Sequence, residues 1–354
     1  MSKKAPVAMT LKVGQAKDAL RACMQAKLPV MLWGPPGIGK SDAIRQLGEE
    51  QERPVIDLRM SLLNPVDLRG VPVAKDGKTD WWAPCFLPQS GSKTENAILF
   101  LDEMNAAPNS VQAAAYQLVL DRRVGEYVLP DGVDVIAAGN RGTDRAIVYD
   151  MSSALRNRFM HYEIVEDLDE WKDWAMKHGI RDEVISFLNY KQDRLFYFDP
   201  KVHTRQFPTP RSWEYVSRLM NNLDSLRHAA VLFAGGLGDG VANEFMGFLR
   251  VAGKLPNAED IILKGKMNIK APEESAQLYA FSGALVGVAT RAKDKMTAGK
   301  NLSRYCTEEL PSAFAVLTCK DYARTDTFGS IYNKLTMTEE WKAFSEKYGE
   351  HIIH

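Results

Sequence analysis

An apolar run from Pro29 to Trp33 breaks into Gly34-Pro35-Pro36-Gly37-Ile38-Gly39-Lys40-Ser41, and a helical pattern starts near Lys40. The eight residues fit G-x-x-x-x-G-K-[ST], a motif that carries meaning only between a strand and a helix, which is where it stands here. Its glycines let successive backbone N–H groups turn inward on a phosphate, and the helix N-terminus adds the positive end of a dipole. Lys40 then reaches the β and γ phosphates of a nucleotide, and Ser41 offers its hydroxyl to Mg²⁺. Gly34 through Ser41, with Asp42 in the first helical turn, are the candidate nucleotide-binding residues. A dinucleotide fingerprint fails, because its third glycine would fall on Asp42. By itself the loop says only that ATP or GTP is bound.

Composition narrows the partners. Among 354 residues, 45 basic and 45 acidic side chains cancel, so no global basic field draws the chain to nucleic acid or a membrane surface. Nucleic acid is therefore a disfavoured partner, although a local basic channel stays open. Cysteines at 23, 85, 306 and 319 form no CxxC pair, and with no clustered histidines neither a zinc site nor a disulfide framework is expected. No segment has the length and apolarity of a signal peptide or a membrane span. Reduced thiols fit a cytoplasmic protein.

Through the first 165 or so residues, short apolar runs alternate with helical patterns, as in a parallel α/β sheet. Strands are expected at Pro29 to Trp33, Val55 to Leu58, Ala97 to Leu101, Val133 to Ala138 and Met160 to Val165, with helices starting near Lys40, Asn109 and Ser152. Gly125 and Pro130-Asp131-Gly132 flank an alternating strand, so Arg123 to Gly132 reads as a hairpin. From Asp167 amphipathic helices take over. The expected division is an α/β nucleotide-binding domain at 1–166, a helical lid at 167–295 and a helical extension at 296–354. The glycine-rich Leu232 to Phe245 lacks a preceding strand and a lysine, and is read as a helix break.

Four further elements bear on the phosphate chemistry. Ala97-Ile98-Leu99-Phe100-Leu101 runs into Asp102 and Glu103, and two carboxylates ending a buried strand must meet solvent or a cation. Beside the phosphate loop, Asp102 would hold Mg²⁺ and Glu103 would deprotonate the attacking water, worth about a hundred- to ten-thousand-fold in rate. Asn140, after the strand ending at Ala138, can hydrogen-bond both the γ-phosphate and that water. Arg156 and Arg158, just before the fifth strand, suit stabilisation of a transferring phosphoryl group across a subunit interface. Arg211, in Pro208-Thr209-Pro210-Arg211-Ser212-Trp213, opens a helix of the second domain and would report the nucleotide state to the lid.

In this order, GPPGIGKS, ILFLDE, AAGN, LRNRF and TPRSW resemble the Walker A, Walker B, sensor one, arginine finger and sensor two elements of an AAA+ ATPase. SLLNPVDLRGVPV before Trp-Trp-Ala-Pro, NAAPNSVQAAAYQLVLDRRVGEYVLPDG and AAGNRGTDRA bring the resemblance to the MoxR branch of the dynein-related group. It covers residues 12 to 220, fading to about 250. It implies ATP hydrolysis with Mg²⁺ in a homo-oligomeric ring, usually hexameric, that remodels or activates a protein, often with a separate von Willebrand factor A partner. It also places Ser61 to Pro88 and the hairpin at Arg123 to Gly132 near a central channel, with Trp81, Trp82 and Phe86 as candidate contacts. The finger assignment is split between Arg158, favoured by position, and Arg156; Arg141 and Arg145 are further interface candidates. An ATP-gated scaffold with little turnover, a small-molecule P-loop kinase and a nucleic-acid motor remain as rival readings.

Overall fold

The computed structural model describes residues 10–142, 149, 151–198, 206–326 and 329–349. Contacts divide the chain after Asp167. The first unit runs β1 (Thr10–Leu11), α1 (Val13–Gln25), β2 (Val30–Trp33), α2 (Lys40–Glu50), β3 (Val55–Arg59), α3 (Pro65–Arg69), β4 (Val71–Lys75) and β5 (Lys78–Trp82). It continues with β6 (Ile98–Asp102), α4 (Asn109–Asp121), β7 (Arg123–Val124), β8 (Tyr127–Val128), β9 (Asp134–Gly139), α5 (Ser153–Arg156) and β10 (Met160–Ile164).

Six strands form one sheet in the order β1-β10-β2-β9-β6-β3, every neighbouring pair parallel. Three of the four inner strands, β2, β6 and β9, are almost wholly apolar and buried, from Val30 to Leu32, Ile98 to Leu101 and Val135 to Ala138, as a sheet covered on both faces requires. Edge strand β3 instead carries Asp57 and exposed Arg59, charges that blunt an edge against further pairing. All five strands expected from the sequence are present, their ends displaced by no more than one residue. The order has a functional consequence: β9 lies between the phosphate-loop strand β2 and the Asp-Glu strand β6, so its end adjoins both.

Two antiparallel hairpins stand outside this sheet, β4–β5 and β7–β8. The second is the expected hairpin, shorter than its sequence signal. It is anchored by the Tyr127 hydroxyl, which donates to the Pro88 carbonyl at 2.6 Å, tying it to the segment from Ser61 to Pro88. At the far end of β9, buried Asp134 accepts hydrogen bonds from Arg53 at 2.7 Å and Lys27 at 3.2 Å. Arg53 also donates to the carbonyls of Asn96, Ala97 and Gly132, closing the loops that start β6 and β9.

The second unit begins at Leu168 and is helical. α6 (Leu168–Lys177), α7 (Asp182–Tyr190), α8 (Pro210–Asn221), α9 (Ala229–Leu237) and α10 (Asp239–Ala252) pack around Phe187, Trp213, Phe233 and Phe245. The expected helix break falls at Gly238, between α9 and α10. A second core around Phe281, Tyr305 and Phe344 gathers α11 (Ala258–Ile262), α12 (Ser275–Arg291), α13 (Lys295–Glu308), α14 (Ser312–Arg324), α15 (Ser330–Leu335) and α16 (Glu339–Tyr348). Residues beyond 296 thus share a core with α11 and α12. Buried Lys172 and Asp321 pair at 2.6 Å, and Asn189 donates to the same carboxylate at 2.9 Å, joining α6, α7 and α14.

Removing Arg53 leaves a buried carboxylate short of its main partner. Arg53→Met is expected to cost about 2 to 3 kcal/mol, seen as a lower urea midpoint. Nucleotide affinity should hold, because the cluster lies at the opposite end of β9 from Asn140.

Candidate nucleotide site

The phosphate loop takes its shape from positive φ values that glycine adopts freely: 80° at Gly37 and 97° at Gly39, the N-cap of α2. Within it the backbone N–H groups of Gly37, Ile38, Gly39 and Ser41 bond to no carbonyl among the described residues. They are the donors an anion requires at a helix start. Pro35 and Pro36 have no N–H, and the Gly34 N–H is used on the Gly139 carbonyl at 3.3 Å, so these three residues shape the loop rather than donate within it. The Asp42 carboxylate turns to Arg45 at 2.9 Å, which leaves Asp42 its backbone N–H alone as a phosphate contact.

Lys40 is buried, and its ammonium donates to the Gly34 carbonyl at 2.6 Å, the Pro35 carbonyl at 2.9 Å and Asn140 Oδ1 at 3.2 Å. The loop, its lysine and the end of β9 are therefore one hydrogen-bonded unit. Asn140 is fixed in turn by a residue sequence reading passed over, Asn105. The Asn105 side chain donates to the Asn140 carbonyl at 2.7 Å and accepts the Asn140 N–H at 3.2 Å. This exchange needs Gly139, where a Cβ would stand 2.4 Å from Asn105 Oδ1 and 2.7 Å from Met31 Cε.

Ser41 Oγ donates to Asp102 Oδ2 at 3.2 Å, and Asp102 Oδ1 accepts the Glu103 N–H at 2.9 Å. Burial pushes the Asp102 carboxyl above the usual carboxylate range, with Asp57 and Glu103 adding like charge. A half-buried carboxylate held against a serine hydroxyl is a hard-oxygen donor set of the kind Mg²⁺ takes, completed by waters and phosphate oxygens. Among the described residues no group of three or more His, Cys, Asp or Glu side chains is placed to hold a metal ion.

Glu103 is left-handed at φ 54°. Its carboxylate accepts a hydrogen bond from Ser61 and lies 3.7 Å from Arg59 Nε. Ser61 and Arg59 had no motif to mark them; they reach Glu103 because β3 pairs with β6, placing Arg59 opposite Asp102.

The arginines separate cleanly. Arg156 Nε donates to the Met151 carbonyl at 3.1 Å, and Arg141 pairs with Glu163 at 2.8 Å. Exposed Arg158 has no partner for its guanidinium among the described residues. Arg145 lies outside the described residues. Arg211 belongs to the second unit, exposed in the first turn of α8, whose start is fixed by reciprocal hydrogen bonds between Thr209 and Ser212. Among the tryptophan-segment candidates, Trp81 is half-buried beneath Arg69, whereas Trp82 is 60% and Phe86 37% exposed.

A phosphate loop, a carboxylate pair and a sensing asparagine converging at the ends of three parallel strands define a P-loop ATPase. Residues 29–159 match the family model of the AAA domain, dynein-related subfamily, a match that supports a MoxR-like AAA+ ATPase. Protein NorQ of Paracoccus denitrificans (strain Pd 1222) is 28% identical over 186 residues, 49% of this chain and 67% of that protein. Among solved structures, the NtrX of Brucella abortus in complex with ADP aligns at 16% identity over 94% of this chain and 69% of that chain, TM-score 0.41. The Thermotoga maritima RuvB Holliday junction branch migration motor aligns at 19% identity over 77% of this chain and 80% of that chain, TM-score 0.38.

Gly139→Ala is expected to cost about 1 to 3 kcal/mol through overpacking and to lower turnover by displacing Asn140. A lower melting temperature together with slower phosphate release checks both effects.

Proposed function

We propose that this chain hydrolyses ATP with Mg²⁺ as a cytoplasmic homo-oligomeric ring, hexameric by resemblance, and uses the cycle to remodel or activate a protein partner. A separate protein with a von Willebrand factor A domain is the partner the MoxR resemblance favours. The observation that carries the ring is Arg158: an exposed guanidinium, without a partner among the described residues, on the turn before β10, beside the strand that feeds the phosphate loop. A cation of this kind suits the phosphoryl group in a neighbouring subunit, whereas Arg156 is already engaged by the Met151 carbonyl.

Within one subunit the proposed roles follow from the chemistry of each group. The loop N–H groups and Lys40 bind the β and γ phosphates, exchanging the lysine's carbonyl acceptors for phosphate oxygens. Ser41 and Asp102 hold Mg²⁺, which when bound neutralises charge on those oxygens. Asn140 orients the attacking water, and Glu103 accepts its proton once its carboxylate leaves Ser61. Arg211, exposed in the first turn of α8 and without a partner among the described residues, is proposed to answer an anionic nucleotide from the lid. Leu62, Val66, Trp82, Phe86 and Val128 are all exposed, and the two segments that carry them, Ser61 to Pro88 and the hairpin at Arg123 to Gly132, are the proposed contact surface for the protein partner. Solvent-facing aromatic and aliphatic side chains of this type mark protein contact sites.

The test is a set of single substitutions. Glu103→Gln should retain ATP binding and lose about a hundred- to ten-thousand-fold in turnover, while Lys40→Ala weakens binding itself. Normal turnover by Glu103→Gln removes the base assignment. Arg158→Ala should lower turnover by about 10³ or more with ATP binding intact, and Arg156→Ala should do markedly less. Turnover in the unsubstituted chain no faster than in Lys40→Ala would favour a scaffold.

A further inference from the structure

We infer that His161 is a positioning residue that ties the strand feeding the phosphate loop to the turn presenting Arg158. The inference rests on the reading of Arg158 as the residue completing a neighbour's site. Trp33 is the last residue of β2 and immediately precedes Gly34. Its indole Nε1–H donates to His161 Nδ1 at 2.8 Å, and the two rings stack with centroids 5.9 Å apart and planes 16° from parallel. An indole nitrogen only donates, so Nδ1 is the acceptor and the neutral imidazole carries its proton on Nε2. That proton points at the Arg156 carbonyl, 2.7 Å away.

The Arg156 carbonyl is the hinge pin of the arginine turn. It also accepts the Phe159 N–H at 3.2 Å, and the Arg158 N–H bonds to the Leu155 carbonyl at 3.1 Å. Both acceptor positions of the Arg156 oxygen are thus in use, one closing the turn around Arg158 and the other held by His161. Phe159 meets the imidazole edge-on at 6.3 Å and is itself buried in the core. His161 is exposed, so the fold does not require it for burial. Its two ring nitrogens nevertheless bridge the loop strand and the arginine turn in a single tautomer. A shift of Trp33 with nucleotide occupancy in one subunit would pass through this imidazole to the cation offered to the next.

Subunit mixing tests this directly in the full-length chain. A donor, Glu103→Gln, keeps its finger but cannot turn over; a host, Arg158→Ala, keeps its base but lacks a finger. Mixed, they should restore turnover at host sites completed by donor arginines. His161→Phe placed on the donor should lower that restored rate about ten-fold, the worth of one or two hydrogen bonds, with ATP affinity unchanged. Trp33→Phe on the donor should act alike, and the double substitution should add little to either single loss. His161→Gln should recover part of the rate, since its amide can donate to the Arg156 carbonyl. On the host, whose finger is already absent, His161→Phe should add nothing. A restored rate undiminished by His161→Phe on the donor refutes this inference and leaves the Arg158 reading standing. Equal loss from the host arm assigns His161 to its own subunit's stability and also refutes it. No restoration on mixing removes the Arg158 reading, and the inference with it.

Discussion

A buried ammonium organises the nucleotide end of this sheet. Lys40 has no aqueous solvation to fall back on, and it satisfies its donors on the carbonyls of its own loop and on Asn140. A buried cation must be paired or hydrogen-bonded, so the loop, the lysine and the end of β9 hold one another in place. Asn105 extends the same logic, fixing both polar groups of the Asn140 backbone and admitting only glycine at 139. On the other side of β9, Asp102 pays for its position with desolvation, a cost offset in part by the Ser41 hydroxyl and the Glu103 N–H. The site is thus a set of individually unfavourable burials that support each other.

Glu103 is arranged differently. Its carboxylate is half-exposed and held by a serine from the turn that follows the neighbouring strand β3. In its proposed role as base, Glu103 would exchange Ser61 for water before taking a proton. Ser61 stands at the start of the segment running to Pro88, whose exposed Trp82 and Phe86 are the proposed partner contacts. The serine that holds Glu103 and the proposed partner contacts thus belong to one segment of the chain.

Much of this was legible in the sequence because the strands are short, apolar and bounded by turn residues, and because the phosphate loop is read from residue types at fixed spacing. Pro29 to Trp33 and Ala97 to Leu101 announce themselves as buried parallel strands, and Ser152 marks the start of α5 by capping it. What stayed hidden depends on strand order and on carbonyl acceptors, neither of which has a one-dimensional pattern. Asn105 follows Asp102 and Glu103 closely yet matters only because β9 adjoins β6. Pro35 and Pro36 fit the motif, but having no N–H they mould the loop rather than bind through it. Arg156 and Arg158 look equivalent in LRNRF and are separated only by the Met151 carbonyl. β1 is two residues long, too short to show any period.

The central claim is that each nucleotide site is completed by another subunit. Phosphate release per subunit, measured against total protein concentration at saturating ATP and Mg²⁺, tests it most directly. The account predicts near-zero specific activity at high dilution, a steep rise as the chain assembles, and a plateau once assembly is complete. Specific activity independent of concentration down to a monomer would contradict it.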